Sequence, residues 1–256
     1  MLKEQRLNQI RAMIRQNGEV ETTSLCRLFD VAEMTIRRDL DILAQEDGIT
    51  RTRGGAMLED TQLLIESSFD RRIAAHKSEK AAIARQALSM IRDGQTVFID
   101  SGTTGFMLAQ MLPPGLHIVV LTNAINIAAE LLTRSYLKTV MIGGELQPGT
   151  LSCRGTMAEE AMAHFHLDIA FLGTNAISAA GELFIGSVME TGFKKTVLRV
   201  SDRKYVMADS SKFGKYSLYR FATASEVDGV ITDGALDSDL AEALKESGAS
   251  LIVAGA

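Results

Sequence analysis

Two groups of residues in this 256-residue chain have types and spacing suited to chemistry. The first is Thr35-Ile36-Arg37-Arg38-Asp39-Leu40. On a helix, Ile36 and Leu40 share one face, while Thr35, Arg37 and Arg38 project from the others. Such a helix can lie in the major groove of DNA, where a guanidinium bonds a guanine edge bidentately or holds a phosphate. Thr35 suits a phosphate or a thymine methyl. Arg51 and Arg53 follow in Ile49-Thr50-Arg51-Thr52-Arg53-Gly54-Gly55-Ala56. Residues two apart on a strand point the same way, so both arginines are expected to reach the DNA backbone or minor groove. Two adjacent arginines alone describe any solvated helix face. Joined to a capped short helix, a tight turn and an Arg-x-Arg-Gly-Gly hairpin, they select DNA.

The second group is Asp100-Ser101-Gly102-Thr103-Thr104-Gly105, which leaves a β-branched run and opens a helix. The backbone N–H groups of such a loop are unpaired, and the helix dipole adds positive potential, so an anion is favoured. Thr122-Asn123, Gly143-Gly144 and Asp209-Ser210-Ser211-Lys212-Phe213-Gly214 also follow apolar runs. In open α/β sheets such loops gather beyond the carboxyl ends of the strands, where ligands bind. One such loop is an ordinary turn, and Lys212 alone is an ordinary surface lysine; several loops at one edge make a pocket. The loop N–H groups and Lys212 are expected to hold a phosphate, and Asp100 and Asn123 the hydroxyls of a sugar. His76, His117, His164 and His166 form no catalytic or metal set. Cys26 and Cys153 are far apart and without metal-ligand spacing. They read as reduced thiols. No cofactor or metal is expected.

The elements that must position these residues are legible from periodicity. Leu7, Ile10 and Ile14 recur at helical spacing, and Asn17-Gly18 ends that helix. Thr22 or Thr23 caps a second helix with Leu25, Leu28 and Phe29 inward, and Asp30-Val31 makes a tight connection. A third helix spans Ala32 to Ala44 with Ile36, Leu40 and Leu43 buried, and Gly48 stops it. The Gly54-Gly55 pair then turns a two-stranded wing. A polar connector follows, and Ser78 caps the next helix. From there strands and helices alternate, which predicts a doubly wound, mainly parallel sheet with helices on both faces. The expected organisation is a small N-terminal winged helix-turn-helix over residues 1–57, a connector over 58–77 and an α/β effector-binding domain over 78–256.

Bulk composition constrains less. The chain is 46% hydrophobic and 23% charged, as folded globular proteins are. Its formal net charge is -5. That is weak evidence against DNA binding, because affinity comes from local Lys and Arg at phosphates rather than from the whole-chain sum. No apolar run reaches the length of a membrane span. The expected location is the cytoplasm, with no membrane partner.

The sequence resembles the DeoR family of bacterial repressors over nearly its whole length. That family's recognition helix carries a Thr-Ile-Arg-Arg-Asp-Leu core, present here at Thr35 to Leu40, and its wing an Arg before Gly-Gly, matched by Arg51 or Arg53 with Gly54-Gly55. Ala32 departs from the usual Ser cap, a loss of about 1 kcal/mol. The family's sensor domain is similar to sugar-phosphate isomerases of the ribose-5-phosphate isomerase and CoA-transferase type. Its motifs match Asp100 to Thr104, Thr122-Asn123, Gly143-Gly144 and Asp209 to Gly214, with a looser match at Glu190 and Lys194. The resemblance implies a repressor of a sugar catabolic operon, released from double-stranded operator DNA by a phosphorylated metabolite. Because one small helix-turn-helix covers little DNA, a homo-oligomer, dimer or higher, is expected. The rival reading is a sugar-phosphate isomerase or deaminase. It requires a carboxylate base, and the strand Asp168 to Leu172 runs instead into Gly173-Thr174-Asn175-Ala176. The expectation is therefore a sensor and not an enzyme.

Overall fold

The computed structural model describes residues 3–17, 19–45, 49–52, 54–58, 69–147 and 149–255. The chain divides into two compact units, Met1–Ser67 and Ser68–Ala256. The boundary falls inside the expected connector. Gly18, Gly48, Arg53 and Ser67-Ser68 lie outside the described residues.

The first unit contains α1 (Lys3–Asn17), β1 (Glu19–Glu21), α2 (Thr22–Phe29), α3 (Glu33–Leu43), β2 (Ile49–Arg51) and β3 (Gly55–Leu58). Ile10 and Ile14 of α1 pack with Leu25, Ile36, Leu40, Leu43 and the strand residues Val20, Ile49 and Ala56. The apolar spacing of all three helices thus serves one small core. Leu28 was expected inward but is 60% exposed, because Leu25 already fills the position α2 presents to that core. Neither Thr22 nor Thr23 caps α2; Glu21 holds the cap position without a side-chain bond to the helix backbone. Asp30 closes α2 in the left-handed region, φ 50°, and turns the chain into α3. The wing has a third strand that periodicity missed: β1 pairs antiparallel with β3, Val20 opposite Ala56. Three residues are too few to show alternation. At Gly55 a Cβ would stand 1.8 Å from the Val20 carbonyl oxygen, so glycine is what lets β1 close on the wing.

Beneath the reading helix lies a charge. Arg6 Nε of α1 donates to Asp39 Oδ2 of α3 at 2.6 Å, both side chains buried. Asp39 therefore serves the fold within a motif whose other polar members face outward.

The second unit opens with α4 (Phe69–Ala74) and α5 (Lys77–Leu88). The second half of the expected connector is thus helical. Its Phe69 ring meets Phe106 edge-on at 5.4 Å. His76, not Ser78, precedes α5, with φ 50°, and the Ser78 hydroxyl donates to Glu79 instead. Then follow β4 (Thr96–Ile99), α6 (Thr103–Met111), β5 (Val119–Thr122), α7 (Ile125–Leu131), β6 (Lys138–Met141), β7 (Glu145–Gln147), β8 (Ser152–Arg154) and α8 (Thr156–Met162). The remainder is β9 (Leu167–Gly173), β10 (Ala176–Ile177), β11 (Glu182–Ile185), α9 (Val188–Arg199), β12 (Ser201–Met207), β13 (Tyr219–Thr223), β14 (Gly229–Thr232), α10 (Ser238–Glu246) and β15 (Leu251–Val253).

Seven strands form one sheet in the order β15-β14-β12-β9-β4-β5-β6, every pairing parallel. Alternate strand residues enter opposite cores: Val97 and Ile99 pack with α5, α6 and α7, while Phe98 packs with α8, α9 and α10. This is the doubly wound α/β class expected from the alternation. The order reverses direction between β4 and β9, so the chain's ligand crevice belongs at their carboxyl ends. The antiparallel pieces, β7 with β8 and β10 with β11 and β13, were not foreseen. They are short and lie inside segments read as connections.

Asp39→Ala leaves the Arg6 guanidinium buried without its partner and is expected to destabilise the first unit by about 3–5 kcal/mol. Urea unfolding of the whole chain should then show an early transition, the Ser68–Ala256 unit retaining its own. A variant that unfolds like the parent would show the pair to be dispensable.

Candidate functional site

In the first unit, α3 presents its polar face away from Ile36, Leu40 and Leu43. Ala32 holds the cap position in extended geometry with no side-chain bond, as its methyl dictates. Thr35, in the first turn, is half-buried, and Arg37 and Arg38 are exposed. Arg37 donates to Glu33 from Nε at 2.8 Å and Nη2 at 2.7 Å. That pair is exposed and one turn apart, worth roughly 0.3–0.5 kcal/mol, so a phosphate displaces it readily. Arg38 has no hydrogen bond or ion pair among the described residues. Arg51 stands differently: its Nε donates to Asp41 Oδ1 of α3 at 2.8 Å and its Nη1 to the Gly55 carbonyl. It ties the wing to the reading helix.

In the second unit, Asp100 and Gly173 meet at the switch between β4 and β9. Asp100 is 2% exposed. Its Oδ1 accepts from the Ser101 N–H at 2.9 Å and its Oδ2 from the Gly173 N–H at 2.8 Å. The same Oδ2 accepts from Lys194 Nζ, which also donates to the Gly173 carbonyl at 2.9 Å. Lys194 comes from the buried side of α9. The Asp100 carboxylate, expected to bind sugar hydroxyls, is also the counter-charge of a buried ammonium, with Oδ2 engaged by Lys194 and Gly173 and Oδ1 by Ser101. Asp100 sets the loop it begins.

That loop is placed as an anion site requires. Gly102 caps α6, and the first-turn N–H groups of Thr103, Thr104 and Gly105 lack intrahelical acceptors. Ser101, Gly102 and Thr104 are partly exposed and Thr103 is buried. Asn123, at the end of β5, donates from Nδ2 to the Cys153 carbonyl at 3.0 Å, while its Oδ1 is buried without a partner. Gly144 packs on β8 so closely that a Cβ would lie 2.5 Å from the Arg154 carbonyl oxygen. Lys212 ends a short turn after β12, half-buried. Asp209 and Asp233 clamp that turn through the N–H groups of Ser211, at 3.2 Å, and Ser210, at 2.7 Å.

Lys80 was missed. It is 5% exposed, and its Nζ donates to the Arg72 and Ala75 carbonyls that end α4. Burial pushes the Lys80 ammonium below its ordinary pKa; the nearby Asp209 carboxylate opposes this, and the Lys212 and Arg72 charges add to it. Lys80 thus shares a field with Lys212. The sequence carried a signal for it, a cation on the same helix face as Ile83, Ala84 and Ala87.

Within β9 and the turn after it, Asp168 is the one carboxylate. β9 runs into Thr174, whose hydroxyl bonds the Phe184 carbonyl at 2.7 Å, and Asp168 at the strand's other end accepts from the Thr96 N–H at 2.6 Å. Among the described residues no group of His, Cys, Asp and Glu is arranged to hold a metal. No described helix is long and apolar enough to cross a membrane.

Asp100→Ala should strand Lys194 in the core and cost about 3–5 kcal/mol, and adding Lys194→Met should recover much of it. Urea midpoints of the Ser68–Ala256 transition measure both, and simple additivity would dissolve the pair as a unit.

Comparison with known proteins agrees with this division. Residues 6–62 match the DeoR-like helix-turn-helix domain, and residues 75–234 match the DeoR C terminal sensor domain. The glycerol-3-phosphate regulon repressor of Escherichia coli (strain K12) is 33% identical over 233 residues, covering 91% of this chain and 92% of that one. The HTH-type transcriptional repressor GlcR of Bacillus subtilis (strain 168) is 32% identical over 253 residues, 99% of this chain and 97% of that one. Among solved structures, ribose 5-phosphate isomerase A from Methanocaldococcus jannaschii aligns with a TM-score of 0.40 and 17% identity over 54% of each chain. With family models spanning both units and relatives matched end to end, the chain belongs to the DeoR family and is a transcriptional regulator, not an enzyme.

Proposed function

We propose that this protein represses a sugar or sugar-derivative catabolic operon in the cytoplasm and leaves its operator when a phosphorylated metabolite binds the second unit. The observation that carries the reading is the pairing of an exposed Arg37-Arg38 face on a core-anchored helix with a ring of anion-seeking loops at a sheet's switch point. A relative named as the glycerol-3-phosphate regulon repressor supports the effector class.

Thr35, Arg37 and Arg38 read or grip the DNA, and Arg51 and Arg53 contact its backbone or minor groove, Arg51 also holding the wing against α3. The N–H groups of Ser101, Gly102, Thr103 and Thr104 hold the phosphate together with Lys212, and Asn123 and the Gly144 backbone border the sugar, with Asp100 fixing the loop. One small helix-turn-helix covers little DNA, so the working form is a homo-oligomer, dimer or larger, that occupies paired half-sites. A monomer mass by light scattering, with and without DNA, would overturn that part.

The test is an operator-binding titration followed by release with a panel of sugar phosphates. Arg38→Ala should weaken binding by about 1–3 kcal/mol if it reads a base, with relaxed specificity there, or weaken all sequences alike if it holds a phosphate. Lys212→Ala should bind the operator as the parent does but need roughly ten to a hundred times more effector. Parent-like operator binding by both Arg37→Ala and Arg38→Ala would sink the DNA assignment. An unchanged release midpoint would remove Lys212 from the site.

A further inference from the structure

Beside the phosphate loops stands a second set of polar groups that the chain itself leaves unsatisfied. Arg154, the last residue of β8, has only 12% of its side chain exposed. Nη1 donates to Ser187 Oγ at 3.2 Å and Nη2 to Glu145 Oε1 at 3.4 Å, while Nε is buried with no partner. Both bonds are long, and Glu145 is 60% exposed, so this cation is poorly compensated for its burial. Next to it, Asn123 is anchored through Nδ2 to the Cys153 carbonyl, which fixes its amide orientation and leaves Oδ1 without a partner. One turn further along α7, Asn126 has both Oδ1 and Nδ2 buried and unpartnered. Buried polar groups are nearly always hydrogen-bonded, so three exceptions on segments joined by the Cys153 N–H to Asn123 and Ile125 N–H to Leu151 backbone bonds ask for an explanation.

Their position supplies one. They gather on the β5 and β7–β8 side of the switch point, whereas Lys212 follows β12, with β9 and β4 between β12 and β5 in the sheet. Three strand spacings amount to roughly 14 Å. A phosphorylated sugar of several carbons covers that distance once the reach of two long side chains is subtracted. At the end away from Lys212 it meets a guanidinium with its Nε–H unused, two amide acceptors and an amide donor. A neutral sugar needs no buried guanidinium there. A carboxylate or phosphate does, because the planar fork of arginine matches an oxyanion.

Resting on the metabolite reading above, we propose that Arg154, with the Asn126 amide, binds a second oxyanion on the effector, which is thus a phosphorylated sugar acid or a sugar bisphosphate. Asn126 Nδ2 donates to that group, and Asn123 Oδ1 accepts from the hydroxyl beside it. Lys212 and the Ser101–Thr104 loop take the first phosphate. Arg154 is the specificity-determining residue: it separates metabolites with two anionic ends from those with one.

The experiment uses the full chain and matched probes of three to six carbons. Each sugar monophosphate is paired with its phospho-acid and, where it exists, its bisphosphate; glucose 6-phosphate, 6-phosphogluconate and fructose 1,6-bisphosphate are one such set, and inorganic phosphate serves as reference. Affinities come from thermal stabilisation and calorimetry. For the parent, at least one two-anion probe should bind about tenfold or more tightly than its monophosphate. Which kind it is separates carboxylate from phosphate. Arg154→Gln should bring the pair within about threefold while leaving inorganic phosphate, apo melting and operator binding unchanged. Asn126→Asp, which sets a like charge beside the anion, should weaken the two-anion probe and spare inorganic phosphate, and it serves if Arg154→Gln fails to fold. No two-anion preference in the parent, or a preference that survives both variants, overturns the proposal. If Lys212-dependent phosphate binding persists in that case, the repressor reading stands. If neither phosphate nor any probe binds, both fall.

Discussion

The second unit is organised around one buried ion pair. Lys194 and Asp100 meet where the sheet's winding reverses, and neither charge is sustainable there alone. The ammonium needs a carboxylate and finds it at the end of β4; the carboxylate needs further donors and finds the Ser101 and Gly173 N–H groups. The pair therefore holds three elements in register: the loop into α6, the end of β9 and the inner face of α9. The same pair commits Asp100 Oδ2 to the chain's own donors, the Lys194 ammonium and the Gly173 N–H.

The first unit divides its motif in a comparable way. Within Thr35 to Leu40 the apolar pair and Asp39 serve the interior, and Thr35, Arg37 and Arg38 the exterior. Asp39 is bonded to Arg6, so α1 and α3 are joined by charge as well as by Ile10, Ile14, Ile36 and Leu40. Arg51 extends this scaffold to the wing by bridging Asp41 and the Gly55 carbonyl. Of the basic residues on this face, Arg38 is left uncommitted and Arg37 only weakly committed. A protein of net charge -5 needs such local concentration to meet a polyanion.

What the sequence made legible was periodic or punctuated. The three N-terminal helices, the hairpin and the seven parallel strands all appeared as repeats of 3.6 or as β-branched runs ended by turns. The loops of the site were visible because glycine and hydroxyl residues cluster after strands. Pairings between distant residues were not legible. The bond between Asp100 and Lys194, 94 positions apart, could not be read from the sequence. Nor could the bond from Arg51 to Asp41, because strand alternation says which side a residue faces and nothing about what stands across from it. Leu28 looked buried because a helical stripe does not reveal how wide the opposing core is. The strands β1, β7, β8 and β10 escaped because two or three residues cannot display a period.

α4 is the first described element of the second unit. Among the described residues its attachments include the Phe69 ring against Phe106, Lys80 Nζ on the Arg72 and Ala75 carbonyls, and Arg72 Nη2 on the Gly149 carbonyl at 2.9 Å. Phe106 belongs to α6, whose first turn is the anion loop. Lys80 shares its electrostatic surroundings with Asp209 and Lys212. Gly149 leads into the segment that ends at Arg154. Each attachment thus ends on a part of the proposed effector site. A ligand shifts an equilibrium only by the difference in its affinity for two arrangements. The leverage of a metabolite is then bounded by how far that helix end differs between the bound and free states.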